Sequence, residues 1–147
     1  MAEPILKVEN ISIDLVRQGQ TTPILRDVSF DLSERQTLGI IGESGSGKTV
    51  LSRAVIGAIN PPLFVTSGRV IYRGQELTGQ NQSKIEALRG REIGYIGNNP
   101  GSALDPTIAV GHQIVEKLRA VEPGISKKEA KDRTIAMLKA VRLPRPE

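Results

Sequence analysis

The 147-residue sequence predicts an α/β fold with an antiparallel β-layer at its start and a strand–loop–helix unit behind it. Three observations carry that prediction. Val28, Phe30 and Leu32 alternate with Asp27, Ser29, Asp31 and Ser33, the period of a half-buried antiparallel strand. Thr37-Leu38-Gly39-Ile40-Ile41 is a short continuous apolar run, as expected of a buried parallel strand. Leu51, Ala54 and Val55 then recur at helical spacing and meet a stop at Gly57.

Taken in order, the apolar positions near the start change parity, from Leu6 and Val8 to Ile11, Ile13 and Leu15. A strand pair or a bulge near Glu9-Asn10 accounts for the change. Arg17 to Pro23 reads as a turn, and the alternating strand follows. Beyond the loop helix, Asn60-Pro61-Pro62 breaks the chain and Gly68 to Arg73 reads as another strand. Ser83-Lys84-Ile85-Glu86 has the capping-box pattern of a short helix ending at Gly90, and Ile93-Gly94-Tyr95-Ile96 reads as a buried strand. Asn98 to Pro106 is a Pro/Gly-rich loop before a helix with Val110, Ile114, Leu118 and Val121 on one face. Ser126-Lys127-Lys128-Glu129 caps a last helix, whose stripe of Ala130, Thr134, Met137, Leu138 and Val141 needs a packing partner. The chain then runs out through Leu143-Pro144-Arg145-Pro146-Glu147.

Between the predicted core strand and its helix lies Gly42-Glu43-Ser44-Gly45-Ser46-Gly47-Lys48-Thr49, with the G-x-x-x-x-G-K-[ST] spacing of a phosphate-binding loop. Without Cβ atoms in the way, consecutive backbone N–H groups can turn inward and form a nest for a polyanion. Lys48 offers a point charge for β- and γ-phosphates, Thr49 a hydroxyl for Mg²⁺, and the helix aims its positive end at the same place. The binding set is therefore Gly42, Glu43, Ser44, Gly45, Ser46, Gly47, Lys48, Thr49 and Val50.

At 38 % hydrophobic, a chain of this length suits one ordinary domain. It has no run of eighteen apolar residues and no charged-then-apolar leader, so neither a membrane span nor a secretory signal is expected, and a cytoplasmic location is. Zero cysteines exclude disulfides and thiolate metal sites. The net charge of +4 resides in residues 126–147, where seven basic side chains face three acidic ones. The remaining residues carry thirteen of each sign, and with two Phe and two Tyr there is no basic-aromatic platform for nucleic acid. A solvated helix face explains the excess.

With the β-layer, the glycine loop and the later loop in view, the chain resembles the ATP-binding subunit of an ABC transporter, most of all the dipeptide, oligopeptide and nickel importer group. Leu38 to Thr49 is similar to the family's T-L-G-L-V-G-E-S-G-S-G-K-S/T. Pro100, Leu104, Pro106, Val110, Gly111, Gln113 and Ile114 match the group's Q-x-P-x-x-x-L-x-P-x-x-x-V-G-x-Q-I. The resemblance implies a P-loop NTPase fragment in three parts. These are a β-layer over 1–35, part of the parallel core sheet with its phosphate loop over 36–97, and a glutamine-loop-like segment opening a helical subdomain over 98–147.

Two positions depart from the family. Its metal- and permease-sensing glutamine is matched by Asn98, whose carbonyl, one methylene shorter, would fall about 1.5 Å short of an unshifted metal or need the loop to move inward. Altered coupling is expected, and Asn98→Gln in a full-length form is expected to raise Mg-dependent turnover. The other open reading is that Asn98 simply turns the chain before Asn99-Pro100. The adenine-stacking aromatic is matched by Asp14, Leu15 and Val16, so nucleotide affinity and base selectivity are expected to be weaker. Tyr72 and Tyr95 read as strand packing residues, and His112 as a surface residue at a helix start.

The resemblance implies ATP and Mg²⁺ as ligands, Thr49 and Asn98 as metal-side residues, and no catalytic residue in this stretch. The family's signature loop, general-base glutamate and switch histidine have no counterpart among these residues. The isolated chain is accordingly expected to bind nucleotide weakly and turn it over little. The implied partners are membrane permease subunits, a second ATP-binding subunit as homo- or heterodimer, and, indirectly, a solute-binding protein, with the subunit peripheral on the inner face of the cell membrane. The alternative is a non-hydrolytic module that regulates an intact ATPase.

Overall fold

The computed structural model describes residues 3–143, so Pro144 to Glu147 of the predicted tail lie outside the described residues. Two compact units divide between Ile93 and Gly94. The first is built on a four-stranded antiparallel sheet of order β2-β1-β3-β4, with β1 at Leu6–Arg17, β2 at Gln20–Leu32, β3 at Leu63–Tyr72 and β4 at Gln75–Glu76.

The parity change in β1 is a bulge within one long strand. Its pairing with β2 slips between Val8 and Ile11, and Asn10 takes a φ of 49°. The bulge lets Leu6 and Val8 before it and Ile11 and Ile13 after it all reach the core, where they are buried with Val70 and Leu77. Each such aliphatic side chain contributes about 1.5–3 kcal/mol on burial. Gly68 of β3 packs on the bulge with φ of 77°, and a Cβ there would strike the carbonyl oxygens of Glu9 and Asn10. Asn10 is pinned from the other strand: its N–H donates to Ser29 Oγ at 2.8 Å and its Nδ2 to Asp27 Oδ1 at 2.6 Å.

The turn predicted over Arg17–Pro23 narrows to Gln18-Gly19, because Thr21, Thr22 and Pro23 already pair with Val16, Leu15 and Asp14. Pro23 can sit in β2 because β2 is an edge strand, where a missing donor costs no ladder bond. The alternation holds over 27–32: Val28, Phe30 and Leu32 are half-buried and Asp27, Ser29 and Asp31 exposed, while Ser33 is half-buried and the buried Leu25 has the opposite parity because the register shifts across Asp27. Strand β3 begins at Leu63, five residues before the predicted start.

Helix α1, Lys48–Val55, buries Leu51 and Ala54 in the same core as Leu25. Helix α2, Gln82–Leu88, is capped by Asn81, whose Oδ1 accepts from Ser83 N at 3.1 Å, so the cap stands two residues before the predicted Ser83.

The predicted parallel strand at 37–41 and the predicted buried strand at 93–96 are not formed. Residues 37–41 and 94–96 have no strand assignment, and one isolated parallel bridge joins Arg89 to Ile93. Ile41 is 98 % exposed and Ile96 91 %. A strand exists by hydrogen bonding to a neighbour, and no described residue supplies one here. Tyr95, half-exposed in this segment, does not pack in a strand, whereas Tyr72 is buried in β3 as expected.

The second unit is a helix pair. Helix α3, Val110–Val121, and helix α4, Lys127–Ala140, pack together, preceded by a 3-10 turn at Pro100–Ala103. Ser126 caps α4 as predicted, its Oγ accepting from Glu129 N at 3.1 Å. Of the α4 stripe, Ala130 and Thr134 are buried, with Thr134 Oγ1 donating to Ala130 O at 2.8 Å, while Met137 and Val141 are exposed. No helix among the described residues is long and apolar enough to cross a membrane.

Candidate nucleotide site

The glycine loop is held between the sheet and α1. Gly47 is the residue before α1, with φ of 88°, a left-handed conformation that favours glycine. A Cβ on Gly47 would meet Leu25 Cδ2 at 2.8 Å and Ile24 O at 3.2 Å, so β2 seats the loop as closely as backbone allows. Ser46 N donates to Glu43 O at 3.2 Å and Leu51 N to Gly47 O at 2.8 Å, closing the loop and starting the helix.

Lys48 organises the site. Its Nζ donates to Gly42 O at 2.7 Å, Glu43 O at 2.6 Å and Ser46 Oγ at 3.2 Å, so three other predicted residues are gathered around its ammonium. These acceptors are neutral, and a phosphate oxygen is the stronger partner for a cation. The first turn of α1 has no acidic residue, and no side chain caps its amides. Its N–H groups and the helix dipole are thus left for an external anion. Thr49 is exposed in that first turn and Val50 half-buried beside it, while Ser44 and Gly45 are exposed in the loop.

A divalent cation fits this donor set in one way. No group of three or more His, Cys, Asp or Glu side chains among the described residues could hold a metal. A hard cation such as Mg²⁺ takes few protein ligands and keeps water and phosphate oxygens, which suits the single hydroxyl of Thr49. Asn98 is exposed in a bend of the second unit, and Thr49 belongs to the first. Of the positions matched to the adenine aromatic, Asp14 is paired with Arg26 at 2.5 Å, Leu15 is half-buried and Val16 is exposed. His112 is exposed at the start of α3.

Sequence reasoning missed Ile24 and Leu25, which back Gly47, and the Arg89 guanidinium, which lies at the far end of α1. Alternation back from Val28 points to position 24 and not to Leu25, which turns inward because the register shifts across Asp27 at a φ of 50°; no local pattern marks Arg89.

Fold and loop together define a class, the nucleotide-binding cassette, and the comparisons make it specific. The chain belongs to the ABC transporter family, whose model matches residues 25–146. It is 38 % identical over 144 residues to the oligopeptide transport ATP-binding protein OppD of Bacillus subtilis (strain 168), an alignment covering 97 % of this chain and 40 % of OppD. To the dipeptide transport ATP-binding protein DppD of the same organism it is 36 % identical over 145 residues, covering 98 % of this chain and 43 % of DppD. The chain thus spans less than half the length of these relatives. Among solved structures, the ATP-binding cassette MJ0796, in a dimeric post-hydrolysis state bound to ADP and Pi, superposes with a TM-score of 0.81 at 20 % identity. That match covers 95 % of this chain and 58 % of MJ0796. The cbiO1 protein of Clostridium perfringens, part of the ABC transporter complex cbiONQ, superposes with a TM-score of 0.64 at 21 % identity, covering 97 % and 52 %. Both likenesses bear on the fold.

Proposed function

We propose that this chain is the nucleotide-binding portion of the ATP-binding subunit of a peptide importer, and that Gly42 to Val50 holds ATP with Mg²⁺. The observation that carries the reading is the Lys48 ammonium resting on Gly42 O, Glu43 O and Ser46 Oγ above an uncapped helix start. Lys48 exchanges these acceptors for β- and γ-phosphate oxygens, and the first-turn amides of α1 hold the same charge. Thr49 gives its hydroxyl to Mg²⁺, which neutralises the polyphosphate when bound. The peptide-importer assignment is supported by the names of OppD and DppD.

In this reading residues 1–35 form the β-layer, 36–97 the loop-bearing core and 98–147 the opening of the helical subdomain, with Asn98 on the metal side. The subunit works with a second ATP-binding subunit and membrane permease subunits at the inner face of the membrane, and a solute-binding protein delivers the peptide. The test is a titration of labelled ATP with Mg²⁺ into the chain and its Lys48→Ala variant. Saturable binding that Lys48→Ala weakens tenfold or more supports the reading; no saturation, or none of the weakening, rejects it.

A further inference from the structure

Helix α1 presents its first turn to the phosphate loop, and its other end is hydrogen-bonded by one side chain from outside the sheet. Arg89, the residue after α2, donates from Nε to Ile56 O at 3.1 Å and from Nη2 to Gly57 O. The helix has already closed two of its carbonyls through Gly57 N to Ala54 O at 2.9 Å and Ala58 N to Arg53 O at 2.8 Å. Arg89 takes the carbonyls of Ile56 and Gly57, the two residues that follow the helix, and it makes no ion pair with a carboxylate among the described residues. Its charge is committed to the carbonyl end of α1, the negative end of the helix dipole.

The contact is tight as well as charged. Ile85 of α2 is buried, and a Cβ on Gly57 would meet its Cγ2 at 2.9 Å. The end of α1 is therefore gripped by Ile85 on one side and the Arg89 fork on the other. With eight residues, α1 is a rod of about 12 Å, so movement at Ile56 is carried to Lys48 with little bending to absorb it.

We propose that Arg89 is a positioning residue for the phosphate site: it anchors the carbonyl end of α1 and so fixes where the amides of Gly47, Lys48 and Thr49 point. The proposal rests on the reading of Gly42 to Thr49 as a triphosphate site, and it concerns alignment of that site rather than contact with the ligand. The planar fork of arginine reaches two carbonyls at once, whereas a lysine reaches them as a point charge.

The experiment compares wild type, Arg89→Ala, Arg89→Gln, Arg89→Lys and Lys48→Ala. Each is measured for thermal unfolding, for Mg·ATP affinity by labelled-nucleotide titration, and for backbone amide positions in ¹H–¹⁵N spectra without nucleotide. In Arg89→Ala the amide signals of Gly45 to Thr49 are expected to shift and ATP affinity to fall about tenfold, equivalent to ~1.4 kcal/mol. Arg89→Lys should recover part of both. If Arg89→Ala does not fold, Arg89→Gln and Arg89→Lys are judged by the same two readouts. Folded Arg89 variants with unmoved loop amides overturn the proposal, as does an ATP affinity equal to wild type when Lys48→Ala has lost it. If wild type binds no ATP, the proposed function fails, and the loop amide shifts alone then decide whether Arg89 aligns the loop.

Discussion

Gln113 and Asp105 are joined by a reciprocal pair of hydrogen bonds: Asp105 N donates to Gln113 Oε1 at 2.9 Å, and Gln113 Nε2 donates to Asp105 O at 2.9 Å. A third bond runs from Nε2 to Ile108 O at 2.8 Å, so one side chain of α3 closes the loop over 105–108. The loop also holds itself, through Thr107 N and Oγ1 donating to Asp105 Oδ1 at 2.8 and 2.6 Å.

Replacing Gln113 with Ala should therefore loosen this loop at a cost of about 1–2 kcal/mol, three bonds to partly solvated backbone being worth less than three buried ones. Hydrogen exchange at Asp105 and a thermal melt measure the two effects. Unchanged protection of Asp105 N–H would show that the clamp is not what orders the loop.

Acid should destabilise the fold through three carboxylates. Thr107 holds Asp105 below the usual carboxylate range, Arg133 does the same for Glu122 through bonds of 2.7 and 3.0 Å, and Lys7, then Arg69, for Glu9. A carboxyl depressed in the folded state contributes stability above its unfolded pKa, near 4, and loses it as pH falls through the folded value. Melting temperatures should hold from pH 7 to about pH 5 and drop below about pH 4. The combined variant Glu9→Gln, Asp105→Asn, Glu122→Gln should flatten that drop; a profile parallel to wild type would place the acid sensitivity elsewhere.

Gly68→Ala should be the most damaging single-methyl change in the sheet. The new Cβ meets two carbonyl oxygens of the β1 bulge and a φ of 77° at once. Overpacking and strain together should cost about 2–5 kcal/mol, read from denaturant unfolding. A loss under about 0.5 kcal/mol would mean that the bulge can relax.

Ile41→Lys and Ile96→Lys test the unformed strands. At 98 % and 91 % exposure these side chains contribute little burial, so either change should alter stability by no more than about 0.5 kcal/mol. If they sat in a buried parallel sheet, lysine would cost several kcal/mol. A melt lowered by ten degrees in either variant would contradict the exposure.

Local chemistry made much of this protein legible in advance. The loop spacing, the amphipathic period of α1, the bulge at Asn10 and the Ser126 cap each depend on residues a few positions apart, and each is present. Asn81 shows the limit of such patterns, since a capping box at Ser83 and an amide at Asn81 compete for one helix start and the residue nearer the turn wins.

Local pattern in the chain alone determined the β-layer, the glycine loop and the helices, because alternation, helical spacing and a left-handed glycine are properties of short segments. Tertiary structure decided the rest. Whether the apolar runs at 37–41 and 93–96 become strands depends on a neighbour to receive their hydrogen bonds, and apolarity cannot supply one. Likewise only folding could bring Arg89 to the carbonyls of Ile56 and Gly57, more than thirty residues earlier in the chain, since long-range contacts leave no trace in local spacing.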